Sequence, residues 1–372
     1  VCQLCPGGCG IRVRLIGNKR AVRIDGNPNH PLNQGGICPL GAAGLQLHYG
    51  LSRIETPLRQ TGKRGDVKTL QPISWDEAVQ RLVESLQGMR QQSEELVCLS
   101  GKRSGTVAEL FARFVQAYGS PNYLLMPSAA DTESLGLLLT QGEATGLAYD
   151  LENSRLVVSF GSSYAEGWGA PGRMQAVYGG WRQQSGNQRT RIVQVEARGS
   201  LSAGKADQWV AVAPGTEAAL ALGMAHVIVS ERLYDQTFVN NHTYGFENWK
   251  DGQGRQHKGF KSLLLQEYSP EQVSRITGVD RETIIALARE FAQTKPAVAL
   301  SGRGQGRMPE SLPDFLAVQS LNALVGSINR PGGVTRQPRI PLAAWPAVVQ
   351  DQVSSRNSKK PRLDGAGSDR LP

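Results

Sequence analysis

Four of the five cysteines in this 372-residue chain lie within its first 38 residues. They are Cys2, Cys5, Cys9 and Cys38, spaced as CxxCxxxC followed by a late Cys-Pro-Leu-Gly. Three thiolates from one tight loop and a fourth from a later point in the chain can form a tetrahedral set of sulfur ligands. Such a set suits an iron–sulfur cluster or zinc. Glycines beside these cysteines let the backbone bring its amides close to the group that the thiolates bind.

Three kinds of chemistry could use these thiols. Disulfides are disfavoured because the first three cysteines are too close in sequence to pair easily, and the rest of the chain is poor in cysteine. Zinc sites usually combine two CxxC pairs or add histidine ligands. The uneven spacing with one late cysteine is more typical of a [4Fe-4S] cluster, so we predict that cofactor, with zinc and disulfides as alternatives.

The composition is that of a globular and moderately basic chain, with 40% hydrophobic residues and a net charge of +9. The basic residues are dispersed rather than clustered with aromatics, so we expect no nucleic-acid partner. A basic surface that faces an acidic redox partner or anionic lipid is the preferred interpretation. No run of 18 apolar residues occurs, so we expect no direct membrane span.

Hydrophobic periodicity predicts a β-hairpin over residues 10–30, directly behind the cysteine loop, and then alternating strands and helices. The predicted strands are 96–100, 155–160, 191–196 and 297–301, and the predicted helices are 41–50, 106–118, 217–230, 281–293, 314–325 and one that begins at Ser74. This alternation implies mostly parallel sheets that are covered on both faces.

Three predicted strands end in glycine-containing loops, at residues 100–101, 160–163 and 301–304. Ligands bind beyond the carboxyl ends of such strands, so a dinucleotide-like ligand across these loops is plausible. Cys98 falls in the middle of a predicted strand and is interpreted as a small buried hydrophobe. The polar, basic tail after Pro338 is predicted to be a loop or a disordered end.

Further segments match a known family in the same order along the chain, and they are 51–65, 73–78, 206–222 and 321–334. Together with the cysteine pattern, they make residues 1–335 resemble the molybdopterin oxidoreductases of the dimethyl-sulfoxide-reductase superfamily. The resemblance implies an α/β fold with a small N-terminal iron–sulfur domain and two doubly wound parallel-sheet domains, one inserted in the other. The expected domains are 1–72 for the cluster, 73–140 with 296–372, and the inserted 141–295.

The resemblance also implies that Cys2, Cys5, Cys9 and Cys38 bind the [4Fe-4S] cluster and that molybdenum or tungsten lies between two pterin guanine dinucleotides. Two departures affect the second centre. Alignment on Gly142 places Ala129 where relatives carry a metal ligand, although Ser128 or Asp131 could serve if the alignment slips.

The second departure is Leu40, which stands where the superfamily commonly has a lysine or arginine, unless Arg53 or Arg303 takes that place. Since both losses fall at the pterin and metal centre, a molybdenum bis(pterin guanine dinucleotide) cofactor is the less favoured expectation.

This pattern resembles the molybdenum-free subunits of menaquinone reductase complexes and alternative complex III. The resemblance implies one-electron transfer within a membrane-associated respiratory quinone reductase complex on the periplasmic side, and no catalytic residue is assigned. Expected partners are an iron–sulfur protein, a cytochrome c and a quinone-binding membrane subunit. We also expect an export signal upstream of Val1 and a further pterin-covering domain downstream. The alternatives are an active molybdopterin oxidoreductase acting on a small inorganic or organic substrate, or a structural scaffold subunit.

Overall fold

A computed structural model describes residues 1–5, 7–91, 95–101, 105–304, 306, 310–338 and 343–367. By its internal contacts the chain divides into two compact units, 1–45 with 127–340, and 46–126 with 341–372, called the first and second units below. The predicted domain boundaries at 72, 140 and 295 differ from this division and stay a prediction. Among the described helices, none has the length and apolar character needed to cross a bilayer.

The described strands, in chain order, are β1 (Ile11–Ile16), β2 (Arg20–Gly26), β3 (Leu58–Gln60), β4 (Leu70–Pro72), β5 (Cys98–Ser100), β6 (Tyr123–Leu125), β7 (Leu147–Tyr149), β8 (Leu156–Ser162), β9 (Arg191–Val195), β10 (Gln208–Val210), β11 (Trp249–Lys250), β12 (Gln256–His257), β13 (Ala297–Gly304) and β14 (Val334–Arg336). The described helices are α1 (Pro39–Ala42), α2 (Gly44–His48), α3 (Trp75–Gln91), α4 (Thr106–Tyr118), α5 (Ala129–Gln141), α6 (Pro171–Gln183), α7 (Leu201–Lys205), α8 (Glu217–Ser230), α9 (Gln236–His242), α10 (Phe260–Glu267), α11 (Pro270–Thr277), α12 (Arg281–Gln293), α13 (Leu312–Leu324) and α14 (Gln352–Asn357).

The predicted hairpin is confirmed as the antiparallel pair β1 and β2. Gly17 and Asn18 turn the chain with φ of 60° and 56°, a region that glycine and asparagine enter more readily than other residues. The hairpin starts two residues after Cys9, so it fixes the end of the cysteine loop.

A four-stranded parallel sheet with the order β10-β9-β8-β13 forms the centre of the first unit. Alternate residues of β8 enter two different cores: Leu156 and Val158 pack in one, and Val157 packs in the other. Continuous apolar strands of this kind are typical of parallel sheets with helices on both faces. The predicted α/β fold is therefore confirmed.

Strand β13 lies at the edge of the sheet, so no described strand pairs with the backbone groups on its outer side. There the N–H of Ala299 donates to Asn322 Oδ1 at 2.8 Å, and Asn322 Nδ2 donates to the Ala299 carbonyl at 2.9 Å. Asn322 has 0% exposure, so α13 carries a buried amide that substitutes for a neighbouring strand.

The sheet also determines where its loops meet. After β8 the chain builds β9 and β10 on one side and returns later to place β13 on the other side. The loops after β8 and β13 therefore leave from the same carboxyl edge, at a topological switch point where α/β folds bind ligands. Two of the three predicted glycine-containing loops lie at this edge, and the third follows β5 in the second unit.

The tail corrects one expectation within the second unit. Instead of a loop or disordered end, it contains α14, because Asp351 caps the helix by accepting the Ser354 N–H at 2.8 Å. The same carboxylate binds Arg90 through both oxygens, at 2.6 and 2.7 Å. Residues 339–342 and 368–372 of the predicted tail lie outside the described residues.

Candidate functional site

The side chains of Cys2, Cys5, Cys9 and Cys38 line one cavity of about 500 Å³, which lies entirely within the first unit. All five cysteines of the chain are free thiols, so the disulfide alternative has no support in the structure. Cys98 lies at the start of β5 in the second unit and is half-buried rather than buried as predicted. The strand begins two residues later than expected.

Local hydrogen bonds hold the cysteine segments in place. The Cys2 N–H donates to the Cys9 carbonyl at 2.8 Å and closes the first loop. Cys38 precedes α1, and its Sγ accepts the Gly41 N–H at 3.4 Å. Amides directed at sulfur stabilise negative charge there, which is how proteins tune clusters that thiolates hold.

The start of α6 forms another wall of this site. The backbone of Gly172, in the first turn of α6, interacts with the Cys9 thiol and lowers its pKa. A Cβ atom on Gly172 would lie 2.9 Å from Cys9 Sγ and 3.0 Å from the Gly36 carbonyl oxygen, so only glycine fits this approach. The positive end of a 13-residue helix therefore lies beside the Cys9 sulfur.

The electrostatics of the thiols point to a cationic group among them. Burial raises the pKa of the Cys9 thiol, the Gly172 hydrogen bond lowers it, and the proximity of Cys5, Cys38 and Cys2 raises it further. Four neighbouring thiolates repel one another, and positively charged iron ions would offset that electrostatic repulsion. The residues present therefore fit a [4Fe-4S] cluster.

Zinc fits this site less well. Within the described residues, no three or more His, Cys, Asp or Glu side chains gather closely enough to hold one metal ion. A [4Fe-4S] cluster needs no such grouping around one ion, because each of its four cysteines binds a different iron. The ligand roles of the four cysteines remain a prediction.

A cation does line the cavity, but on an element that the sequence did not indicate. Leu40 lies at the cavity with 60% of its surface exposed. The proposed replacements lie elsewhere: Arg53 bonds to His48 Nδ1 at 2.8 Å in the second unit, and Arg303 is not among the lining residues. Among the described lining residues, the basic side chain is that of Lys205, at the end of α7. A single lysine gives no sequence signal for a place at a cavity wall, because most lysine side chains lie in solvent.

The expected metal-ligand position lies at the start of α5, a helix that the sequence analysis missed. Ala129 is its first residue, and Gly142 ends it in the left-handed conformation with φ of 74°. Ser128 and Asp131 form the N-terminal cap, in which the Ser128 N–H donates to Asp131 Oδ2 at 2.8 Å. Both candidate substitutes for Ala129 thus contribute to helix capping.

The carboxyl edge of the sheet retains polar groups that a pterin nucleotide could use. Within the described part of the chain, Ser163 Oγ, just after β8, and Gln194 Oε1, in β9, are buried without a hydrogen-bond partner. Buried polar atoms without partners are rare in proteins, so these two suit a polar ligand at the switch point.

Two family models match the chain. The Molybdopterin oxidoreductase Fe4S4 domain matches residues 1–50, and Molybdopterin oxidoreductase matches residues 53–352. The first match supports the predicted [4Fe-4S] cluster, and the second leaves a molybdenum cofactor possible.

Curated relatives include enzyme subunits that are named for different roles. The menaquinone reductase molybdopterin-binding-like subunit of Nitratidesulfovibrio vulgaris is 33% identical over 91% of this chain and 45% of its own length. The arsenate respiratory reductase molybdopterin-containing subunit of a Shewanella species is 28% identical over 100% of this chain and 45% of its own length. The corresponding thiosulfate reductase subunit of Salmonella typhimurium is 31% identical over 90% of this chain and 41% of its own length. The chain thus spans less than half the length of these relatives.

A solved structure shows the same fold. Acetylene hydratase from Pelobacter acetylenicus superposes with a TM-score of 0.67 at 22% identity, covering 89% of this chain and 44% of that one. With its cysteine-lined cavity, its parallel sheet and matches that extend over most of its length, the chain belongs to the molybdopterin oxidoreductase family.

Proposed function

We propose that this chain transfers electrons one at a time through a [4Fe-4S] cluster bound by Cys2, Cys5, Cys9 and Cys38. The observation that carries the proposal is the convergence of these four thiols on one cavity in the first unit. When bound, such a cluster accepts and releases single electrons at a potential set by its surroundings. The chain supplies the thiolates, the amides of Gly41 and Gly172, and the positive end of α6.

The setting that we infer is a membrane-associated respiratory quinone reductase complex on the periplasmic side. The relative that is named as a menaquinone reductase subunit supports this inference. Two side chains support it as well. Leu40 at the cavity wall has no charge to offer a pterin, and Ala129 at the start of α5 cannot bind a metal. An iron–sulfur protein, a cytochrome c and a quinone-binding membrane subunit would then be the partners.

A second candidate is an active molybdopterin oxidoreductase catalytic subunit. The buried polar atoms of Ser163 and Gln194, unpartnered within the described residues, favour a nucleotide-bearing cofactor at the sheet edge. Relatives named as the molybdopterin-containing subunits of arsenate and thiosulfate reductases favour it as well.

Metal analysis of the purified chain separates these two functions. We expect iron and acid-labile sulfide in equal amounts, near four of each per chain, with molybdenum and tungsten far below stoichiometric. Stoichiometric molybdenum or tungsten would instead support the catalytic subunit, and a chain without iron would leave only a scaffold. For the complex, we expect heme- and quinone-binding subunits to copurify with the chain from native membranes, and their absence would contradict the proposed setting.

A further inference from the structure

Lys205 is one of the residues that line the cavity of the four cysteines, and so is Tyr178. The lysine is half-buried at the end of α7. Its Nζ lies over the ring of Tyr178, 5.3 Å from the ring centroid, which is within the range of a cation–π interaction.

The backbone of Lys205 is fixed to α6, the same helix whose first turn contacts Cys9. The Lys205 carbonyl accepts a hydrogen bond from Arg182 at 2.8 Å and another from the Tyr178 hydroxyl at 3.4 Å. Arg182 Nε also donates to the Tyr178 hydroxyl at 2.9 Å. These contacts hold the lysine relative to the helix that positions the cysteine loop.

Nearby carboxylates do not neutralise this ammonium group. Within the described part of the chain, no carboxylate forms an ion pair with Lys205. Asp207 pairs instead with Arg182, at 3.1 Å, and with Arg189. Glu166 also lines the cavity, but it lies 3.6 Å from Arg198. A positive charge without a carboxylate partner, beside apolar walls, acts more strongly on its surroundings than one in water.

We propose that Lys205 is a positioning charge that raises the reduction potential of the cluster, an inference that rests on the function proposed above. Reduction adds one electron and makes no bond, so the negative charge inside the cavity grows by one. The ammonium group attracts that extra charge and therefore stabilises the reduced state more than the oxidised state. Replacing the lysine should thus make reduction harder without removing any sulfur ligand.

A redox titration of the purified full chain tests this inference, with dithionite as reductant and electron paramagnetic resonance as the readout. Lys205→Gln is expected to lower the equilibrium constant for reduction about tenfold, which is about 59 mV for a one-electron couple. Lys205→Arg keeps the charge and should restore most of the potential. The matched control is Lys250→Gln, which removes the same charge from an exposed position in β11 and should leave the potential unchanged.

The outcomes separate the two proposals. A wild-type chain without a cluster signal ends the proposed function itself. A cluster signal with the same potential in Lys205→Gln and wild type, or an equal shift in Lys250→Gln, overturns only the inference about Lys205.

A second variant covers the case in which Lys205→Gln fails to retain its cluster. Tyr178→Leu keeps the lysine but removes the ring beneath its ammonium group. It should lower the equilibrium constant in the same direction by a smaller factor, about threefold. An unchanged potential in this variant contradicts the proposal as well.

Discussion

Asn33 and Gly10 exchange two hydrogen bonds across the cysteine-bearing segments. The Gly10 N–H donates to Asn33 Oδ1 at 2.8 Å, and Asn33 Nδ2 donates back to the Gly10 carbonyl at 3.0 Å. The same nitrogen also donates to the Gly36 carbonyl at 2.7 Å. Because Gly10 follows Cys9 and Gly36 precedes Cys38 by two residues, one side chain with 1% exposure joins both loops of the site.

Asn33→Ala should therefore weaken the site as well as the fold. The substitution removes the partner of the buried Gly10 N–H and one donor from each of the Gly10 and half-buried Gly36 carbonyls, although Asn27 still donates to the Gly10 carbonyl. A buried group left unpaired costs about 1–3 kcal/mol. We expect the free energy of unfolding to fall by about 3 kcal/mol and the iron content of the purified protein to drop. Asn29→Ala, on the exposed surface, is the control, and equal iron and stability in both variants would refute the role of Asn33.

Gly172→Ala should disturb the cluster loop through a direct clash. The added methyl group would lie 2.9 Å from Cys9 Sγ, so the start of α6 or the loop has to move. We expect lower stability in denaturant unfolding and reduced iron incorporation.

The same helix offers a matched control in Gly180, which is exposed and has no heavy atom within 4 Å of an added Cβ. Gly180→Ala should stabilise the protein by roughly 0.5–1 kcal/mol, because alanine loses less backbone entropy on folding. Opposite signs for the two substitutions are the expected result. Two stabilising substitutions would show that the approach of α6 to Cys9 is not tight.

Asn322→Ala should destabilise the central sheet. The substitution removes the amide that satisfies both backbone groups of Ala299 on the free side of β13. We expect a loss of about 3 kcal/mol in the free energy of unfolding, since both groups are buried. Asn240→Ala, at an exposed position of α9, should change stability by less than about 0.5 kcal/mol. A similarly small change for Asn322→Ala would contradict this account of the sheet edge.

The carboxyl group of Glu310 should make the free energy of unfolding depend on pH. Burial, with smaller contributions from Glu133 and Asp314, raises the pKa of Glu310 from 4.5 to about 7. Between these values the folded chain keeps a proton that the unfolded chain loses. The stability from this group is therefore complete below about pH 4.5 and declines as pH rises to about 7, by about 3 kcal/mol in all.

Chemical denaturation at several pH values measures this effect. Glu310→Gln should reduce the decline and be more stable than wild type at pH 8, because glutamine carries no charge to bury. Glu133 and Glu196, whose pKa values burial also raises, should keep part of the decline. Glu282→Gln, at an exposed position of α12, should keep the decline. If Glu310→Gln shows the wild-type decline, Glu310 is not the responsible group.

Much of the fold could be predicted because its signals are local. The apolar run from Leu156 to Phe160 and the periodic apolar residues of α12 correspond directly to the buried sheet and a covering helix. The cysteine cavity was predictable for the same reason, since three of its four thiols come from one short loop.

The parts that were missed depend on tertiary contacts. In α5, Leu137 is buried while Leu135 and Leu139 are exposed. Its apolar residues therefore do not follow the helical spacing that marks one buried face. Lys205 reaches the cavity only because α7 packs on α6, and α14 depends on the contact of Asp351 with Arg90. No pattern within one segment reports such contacts.

The most direct test of the account is electron paramagnetic resonance of the dithionite-reduced full chain in three forms: wild type, Cys9→Ser and Cys98→Ser. The account predicts a [4Fe-4S] signal in wild type and in Cys98→Ser, and its near-complete loss in Cys9→Ser. Cys98 is the matched control because it lies in β5 and is not among the residues that line the cavity. A wild-type chain without iron, or a Cys9→Ser signal equal to that of Cys98→Ser, would contradict the central claim.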